Sequence, residues 1–252
     1  MPPFLLAFRA AFTFLTRIPV GGFPYPPATW QWISIWFPVV GLVLGSMASL
    51  LFYILPHSLS FESRAILIVG FGLIITGGFH EDGLADTADA LGGAYDKDRV
   101  LEILKDSRIG AFGGMALVIA LALRVNLLAD LEHKMMWGLI LGQSLSRAAS
   151  TMQLALFPYV RNPHAASKSK DVAVSGTLQF IMALFWSGCI LMAAWYMGLS
   201  IASVMTLVIS MGVMLYMLGH YFMRRAGGLT GDFLGSTQQI TELTILFILV
   251  IQ

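Results

Sequence analysis

The chain has 252 residues, of which 57 % are hydrophobic and only 12 % charged, with a net charge of +1 and a mean hydropathy of +0.78. Soluble domains carry about 25 % charged residues, so the composition excludes a soluble globular protein and describes an integral membrane protein. The near-zero net charge gives no basis for a nucleic-acid partner, and the single Cys189 excludes a disulfide framework or a cysteine-built zinc site.

Residues 4–17 place Phe4, Phe8, Phe12 and Leu15 on one side of a helical wheel and Arg9, Thr13 and Arg17 on the other. That pattern predicts a helix lying in the membrane interface, ended by Gly21-Gly22 and Pro24, Pro26 and Pro27. A first span is expected over 32–55, with Trp30, Trp32 and Trp36 as an aromatic belt and Gly41 and Gly45 spaced for close helix packing. Residues 65–76 open a second span. Residues 94–110 are the most charged segment, and Val100, Ile103 and Leu104 give them the narrow stripe of a short surface helix.

Further spans are expected over 112–129, 135–157, 172–197 and 201–222, with polar stretches at 130–134, 158–171 and 223–239. The last apolar run, to Ile251, is only about 12 residues, short of the roughly 20 a crossing needs, unless its helix begins near Phe233. The expectation is an all-α, polytopic membrane helix bundle of about seven transmembrane helices plus the N-terminal interfacial helix. All of it forms one membrane-embedded domain, 1–252.

On that plan Arg9, Arg17, Lys97, Arg99, Lys105, Arg108, Arg161, Lys168, Lys170, Arg224 and Arg225 fall on one side, and only Arg64 and Lys134 on the other. The positive-inside rule then puts the first side in the cytoplasm. A multi-pass protein of the inner cell membrane, with its site facing the cytoplasm, is expected.

The stretch 76–93, TGGFHEDGLADTADALGG, carries His80 and four carboxylates directly after an apolar run. Asp82, Asp86 and Asp89 stand at i, i+4 and i+7, one stripe of a helix. Like charges so spaced repel unless a cation lies between them. Oxygen-only ligands suit Mg²⁺, which leans on one or two carboxylates plus substrate phosphates. Asp82, Asp86 and Asp89 are therefore the candidate metal ligands, Asp82 also a candidate catalytic residue, with His80 a candidate ligand or catalytic acid–base group. A solvated acidic helix start is the plainer alternative.

A second glycine-rich segment, Gly227-Gly228-Leu229-Thr230-Gly231-Asp232, again pairs glycines with an acid beside a span. Glycines allow close backbone approach to phosphate oxygens, and Arg225 just upstream suits bidentate binding. Gly227, Gly228, Gly231 and Arg225 are candidate phosphate-binding residues, and Asp232 is a candidate catalytic acid. Asp106 and Arg108 are either a similar helix-ending charged turn or an acid and a guanidinium facing the same phosphate, and count as candidate phosphate-binding residues. Arg124 and Arg147 lie at membrane depth, where a charge faces the bundle interior or a wet cavity. A structural pair is expected for Arg124 and substrate binding for Arg147. Acids with Mg²⁺ logic, opposed by arginines and glycine turns, describe phosphoryl or nucleotidyl transfer.

GGFHEDGLADTADALGG, followed by RVLEILKDSRIGAFGG and GGLTGDFLG, resembles the cobalamin synthase family, the adenosylcobinamide-GDP ribazoletransferases. The likeness extends to FLTRIPV near the start, FPVVGLVLG in the first span and the Ser146-Arg147 pair. The 158–171 loop matches no family pattern, so no role carries over there. The resemblance implies a Mg²⁺-dependent membrane transferase of the coenzyme B12 nucleotide loop. Its substrates would be adenosylcobinamide-GDP and α-ribazole or α-ribazole 5′-phosphate, its products adenosylcobalamin or its phosphate and GMP. The bilayer is then a partner; a homo-oligomer is allowed for, though no residue signals one.

Two other classes stay open. A CDP-alcohol-type phosphotransferase of membrane lipids also uses acids at a membrane face, although Asp82-Gly83 lacks the Ala-Arg that should follow and no acid stands three residues before Asp82. A transporter would explain intramembrane charge, although the acids gather at one face and no repeat of the spans is apparent.

Overall fold

Backbone polar groups inside a bilayer have only one another to bond with, so a chain of this composition resolves into helices. The computed structural model describes residues 3–160 and 176–252. Residues 161–171 of the expected polar loop, and the expected span start at 172–175, lie outside the described residues. The helices are α1 (Pro3–Leu15), α2 (Pro27–Trp30), α3 (Phe37–Ile54, entered through a 3₁₀ turn at Ile33–Trp36), α4 (Phe61–Thr76), α5 (Phe79–Gly93) and α6 (Lys97–Ile103). They continue with α7 (Ala111–Asp130), α8 (Met135–Leu156), α9 (Thr177–Tyr196), α10 (Ile201–Ala226) and α11 (Gly231–Ile251). Among the described residues there is no strand, only one isolated bridge between Tyr159 and Leu229.

Helix ends follow local chemistry. Ser60, Asp96, Ser200 and Thr230 each accept a backbone N–H at the start of α4, α6, α10 and α11. Helices α4 and α10 stop at glycines in the left-handed region, Gly77 (φ 69°) and Gly227 (φ 77°), which a side chain would make costly. Gly78 repeats that conformation at φ 68°. Two such residues in succession turn the chain by 89° between α4 and α5.

Five helical units are long and apolar enough to cross a membrane: Ile33–Ile54, α7, α9, α10 and α11. A sixth appears if the bent α4–α5 pair counts as one. The expected seven is therefore approximate. The difference lies in α8, which is 22 residues long but rich in Ser, Gln and Arg, and in the short α4. Helix α11 has no shortfall, because it begins at Gly231 and runs 21 residues.

Most of α8 is buried, which is why it tolerates polar residues. Helix α3 crosses it at Gly41 and Gly45. A Cβ on Gly45 would stand 2.6 Å from the Leu139 carbonyl, and Gly41 lies directly on the backbone at Gln143 and Ser144. The small-residue spacing in the first span is thus a real crossing. The core gathers Leu139, Leu141, Leu145 and Met152 of α8 with Ile68, Leu128, Leu207 and Ile245 from its neighbours. By contrast α7 and α10 leave Met115, Val118, Ile119, Ile209, Val213 and Tyr216 exposed, the apolar faces that lipid would cover.

Helix α1 packs against the bundle as well as being apolar. Ala7, Ala10 and Ala11 are fully buried beside Tyr25, Ile33 and Val40. Trp36 donates its indole N–H to the Phe4 carbonyl at 3.1 Å, and the amide of Arg17 bonds the Ile75 carbonyl at 2.7 Å. That last bond ties the end of α1 to the end of α4.

The bundle has two ends of different character. One holds the α4–α5 bend, α6, the Tyr159–Leu229 bridge and the start of α11. The other holds the 55–60 and 131–134 turns, where Phe61 meets His133 at 5.3 Å and Arg64 bonds the Pro56 carbonyl at 3.0 Å. Arg17, Lys97, Arg99, Lys105, Arg108, Arg224 and Arg225 lie at the first end, Arg64 and Lys134 at the second.

Candidate active site

The bend at Gly77-Gly78 swings α5 under the start of α11, and the two helices touch through glycines. A Cβ on Gly83 would come 3.0 Å from the Asp232 carbonyl, and one on Gly235 would come 3.3 Å from the His80 carbonyl. The two glycine-rich motifs, so far apart in sequence, therefore meet at one place in the fold. Asp86 lies within electrostatic reach of Asp82, Asp232 and Asp89. Asp232 in turn feels Asp82. Asp82 is exposed, Asp86 and Asp232 half-buried, and none of the three has an ion-pair partner among the described residues.

Asp82 opens into a cavity of about 630 Å³, lined also by Thr13, Thr16, Arg17, Thr76 and Gly77. The cavity is built between the end of α1, the glycine bend and the first turn of α5.

Below it runs a buried polar network. Glu81, next to Asp82, accepts from Arg124 Nη1 at 2.8 Å and from Gln239 Nε2 at 3.2 Å. Arg124 also donates to Gln239 Oε1 and lies 3.5 Å from Glu242. Glu242 accepts from Gln238 at 2.8 Å and from Gln143 at 2.7 Å. Gln143 takes a 2.7 Å bond from Arg147 through its side-chain oxygen. Two carboxylates and two guanidiniums balance, and α5, α7, α8 and α11 are locked together beneath the acids. Arg124 is the structural pair its sequence position suggested. Arg147, only 2 % exposed, is spent on α8 and this network and does not reach the cavity. His80 is buried on the same inner side, within the fields of Arg147 and Arg124, and does not line the cavity either.

Several other expected site residues are otherwise occupied. Asp89 does not join a three-carboxylate set. Its two oxygens accept from the amides of Gly110 at 2.7 Å and Gly113 at 2.8 Å, so it caps the start of α7. Arg225 donates to the carbonyls of Leu91, at 2.9 Å, and Ala94. Its guanidinium lies 5.2 Å from the Tyr95 ring, which makes it the clasp on the end of α5 rather than a free phosphate binder. Gly227 serves as the left-handed stop of α10. Gly228 lies where a Cβ would be 2.6 Å from the Pro158 carbonyl, and Gly231 starts α11. Asp106 and Arg108 are exposed and bond each other at 2.6–3.2 Å. Hydrogen bonds from Arg108 hold the Asp106 carboxyl down to about 2.

Among the described residues no three His, Cys, Asp or Glu side chains converge to cage an ion. The carboxylates of Asp82 and Asp232 nevertheless lie within electrostatic reach of Asp86, and all three are uncompensated among the described residues. That donor set fits an ion that keeps waters and completes its shell with substrate phosphates. It does not fit a closed structural site.

Sequence reasoning missed Glu81, Glu242, Gln143, Gln238, Gln239 and the cavity position of Arg17. Glu242 and the paired glutamines were detectable as polar residues in a membrane-length helix, which normally face a partner inside the bundle.

Comparison with known proteins gives the family. The family model described as cobalamin-5-phosphate synthase matches residues 7–250. A protein of Shewanella amazonensis named adenosylcobinamide-GDP ribazoletransferase is 36 % identical, covering 97 % of this chain and 94 % of its own. Proteins of the same name from a Polaromonas species, at 37 % identity over 95 % and 94 %, and from Vibrio cholerae, at 36 % over 96 % and 92 %, are similar in the same way. No solved structure matches the chain. The CDP-alcohol phosphotransferase and transporter readings give way accordingly: the chain belongs to the cobalamin-5-phosphate synthase family, transferases of cobalamin synthesis.

Proposed function

We propose that this chain joins adenosylcobinamide-GDP to α-ribazole or α-ribazole 5′-phosphate, releasing GMP, at the cytoplasmic face of the inner cell membrane. The observation that carries the reading is the meeting of Asp82 and Asp86 with Asp232 across the Gly83–Gly235 contact, beside the cavity. It supplies acids from both motifs at one point on the basic end of the bundle.

In the proposed reaction a ribose hydroxyl oxygen of the acceptor forms a bond to the corrinoid-side phosphorus of the pyrophosphate. The bond from that phosphorus to the bridging oxygen breaks, and GMP leaves with the oxygen. The hydroxyl proton passes to one of the half-buried carboxylates, Asp86 or Asp232. Asp82, Asp86 and Asp232 would hold magnesium, which would supply charge neutralisation on the phosphate oxygens. The buried Glu81–Arg124–Glu242 network holds α5 and α11 in register, so that these acids stay together when substrate arrives.

The test is GMP release by purified protein in detergent or nanodiscs, with adenosylcobinamide-GDP, either acceptor, and Mg²⁺ with or without EDTA. Metal-dependent GMP release that requires the acceptor is expected. GMP release without acceptor, or turnover indifferent to EDTA, overturns the corresponding half of the proposal.

A further inference from the structure

The cavity beside Asp82 has one basic residue in its lining, Arg17. Its root is fixed: the Arg17 amide bonds Ile75 at 2.7 Å, and Thr16 before it bonds back to Phe12 through its hydroxyl at 2.7 Å. Its side chain crosses the glycine bend, with Cζ and Nη2 each 3.1 Å from where a Gly77 Cβ would be. The guanidinium makes no hydrogen bond or ion pair with any other described residue. Arg224 is exposed and likewise unpaired among the described residues, but it does not line the cavity; the other arginines at this end are spent differently. Arg9 donates to the Val20 carbonyl at 2.7 Å, Arg225 clasps α5, and Arg99 and Arg108 pair with Glu102 and Asp106. The Arg17 side chain, exposed beside the bend, bonds no carbonyl as Arg9 does. Instead a free, forked donor and an uncompensated carboxylate share one cavity, with room between them.

We propose that Arg17 binds a phosphate group of the substrate in this cavity and holds it beside Asp82, a role that rests on the transferase reading above. A guanidinium presents two parallel N–H donors that match two phosphate oxygens. The phosphate has two sources, the pyrophosphate of adenosylcobinamide-GDP and the 5′-phosphate of α-ribazole 5′-phosphate. In either case the segment just after α1 contributes a substrate-binding residue to the site.

The test compares wild type with Arg17→Gln, Arg17→Lys and, as a surface control, Arg99→Gln. Initial rates are measured with each acceptor, and thermal stabilisation by inorganic pyrophosphate is measured without turnover. Arg17→Gln should raise the KM of the phosphate-bearing substrate about tenfold or more and lose most of the pyrophosphate stabilisation. Arg17→Lys should recover part of both, and Arg99→Gln should match wild type. A rise confined to α-ribazole 5′-phosphate, with free α-ribazole unaffected, assigns the acceptor phosphate. A rise for adenosylcobinamide-GDP with either acceptor assigns the pyrophosphate. Unchanged KM values and unchanged pyrophosphate stabilisation in Arg17→Gln overturn the proposal. Absence of wild-type turnover sinks the transferase reading instead, and the pyrophosphate arm then decides the role of Arg17 by itself. Should Arg17→Gln lose its folded elution profile, Arg17→Lys carries the same comparison.

Discussion

Gly83 on α5 and Gly235 on α11 face each other with no side chain between them. A Cβ on Gly83 would stand 3.3 Å from the Gly235 Cα and 3.0 Å from the Asp232 carbonyl. Both neighbours are backbone, so nothing can rotate away. We predict that Gly83→Val drives the two helices apart, costing about 1–3 kcal/mol from overpacking. Because the contact sets the spacing of Asp82, Asp86 and Asp232, activity should fall more than stability does. Thermal melts beside rate measurements check this; a variant with normal rates would mean that the contact does not set the acids' spacing.

A shared site predicts non-additive losses. Asp82→Asn and Asp232→Asn should each lower turnover by roughly two orders of magnitude or more, and the double variant should be little worse than the worse single one. Losses that multiply would assign the two acids to independent tasks. The measurement is kcat at saturating Mg²⁺ for all four proteins.

Asp89 offers a sharper discrimination. With both oxygens on the amides of Gly110 and Gly113, it is a helix cap, so Asp89→Ala should cost about 0.5–2 kcal/mol of stability. The Mg²⁺ concentration for half-maximal rate should then hardly move, whereas Asp82→Asn should shift it strongly. A large shift in the Asp89 variant would restore that residue to the metal set.

These outcomes bear on what was readable beforehand. The acidic stripe was legible because i, i+4, i+7 spacing is a property of one helix, and Gly41 with Gly45 announced a crossing for the same local reason. The shared site at Asp232 was legible only as an analogy between two glycine-rich motifs. The clasp made by Arg225 was not legible because its partners, the carbonyls of Leu91 and Ala94, belong to a helix end that no spacing rule connects to it. Arg17 escaped notice because a wheel drawn on residues 4–17 assigns it to the interface. Only the fold brings Gly77 beneath its side chain.

The buried ion pairs should be costly to break singly. Arg124→Met would leave Glu81 and Glu242 without their main counter-charge, and a loss of about 3–5 kcal/mol is expected. Glu81→Gln combined with Arg124→Met should recover part of it, read as the shift in melting temperature in detergent. A neutral Arg124→Met would show the network to be dispensable.

Orientation is open to direct measurement. In a Cys189→Ala background, Ser107→Cys, in the exposed turn before α7, should react with an impermeant thiol reagent only from the cytoplasmic side. Ser58→Cys, between α3 and α4, should react only from the other. The reverse pattern would turn the whole protein over.

The right-angle bend at Gly77-Gly78 carries a further consequence. With α4 set along the membrane normal, α5 runs parallel to the surface, so positions that would differ by about 1.5 Å of depth per residue in a straight helix share nearly one level. The acids are spread sideways instead of downwards. In the reaction proposed above, a corrinoid far too bulky to thread between helices can then meet Asp82 and Asp86 while resting on the membrane, and neither is carried to the middle of the hydrocarbon, where charge is dearest.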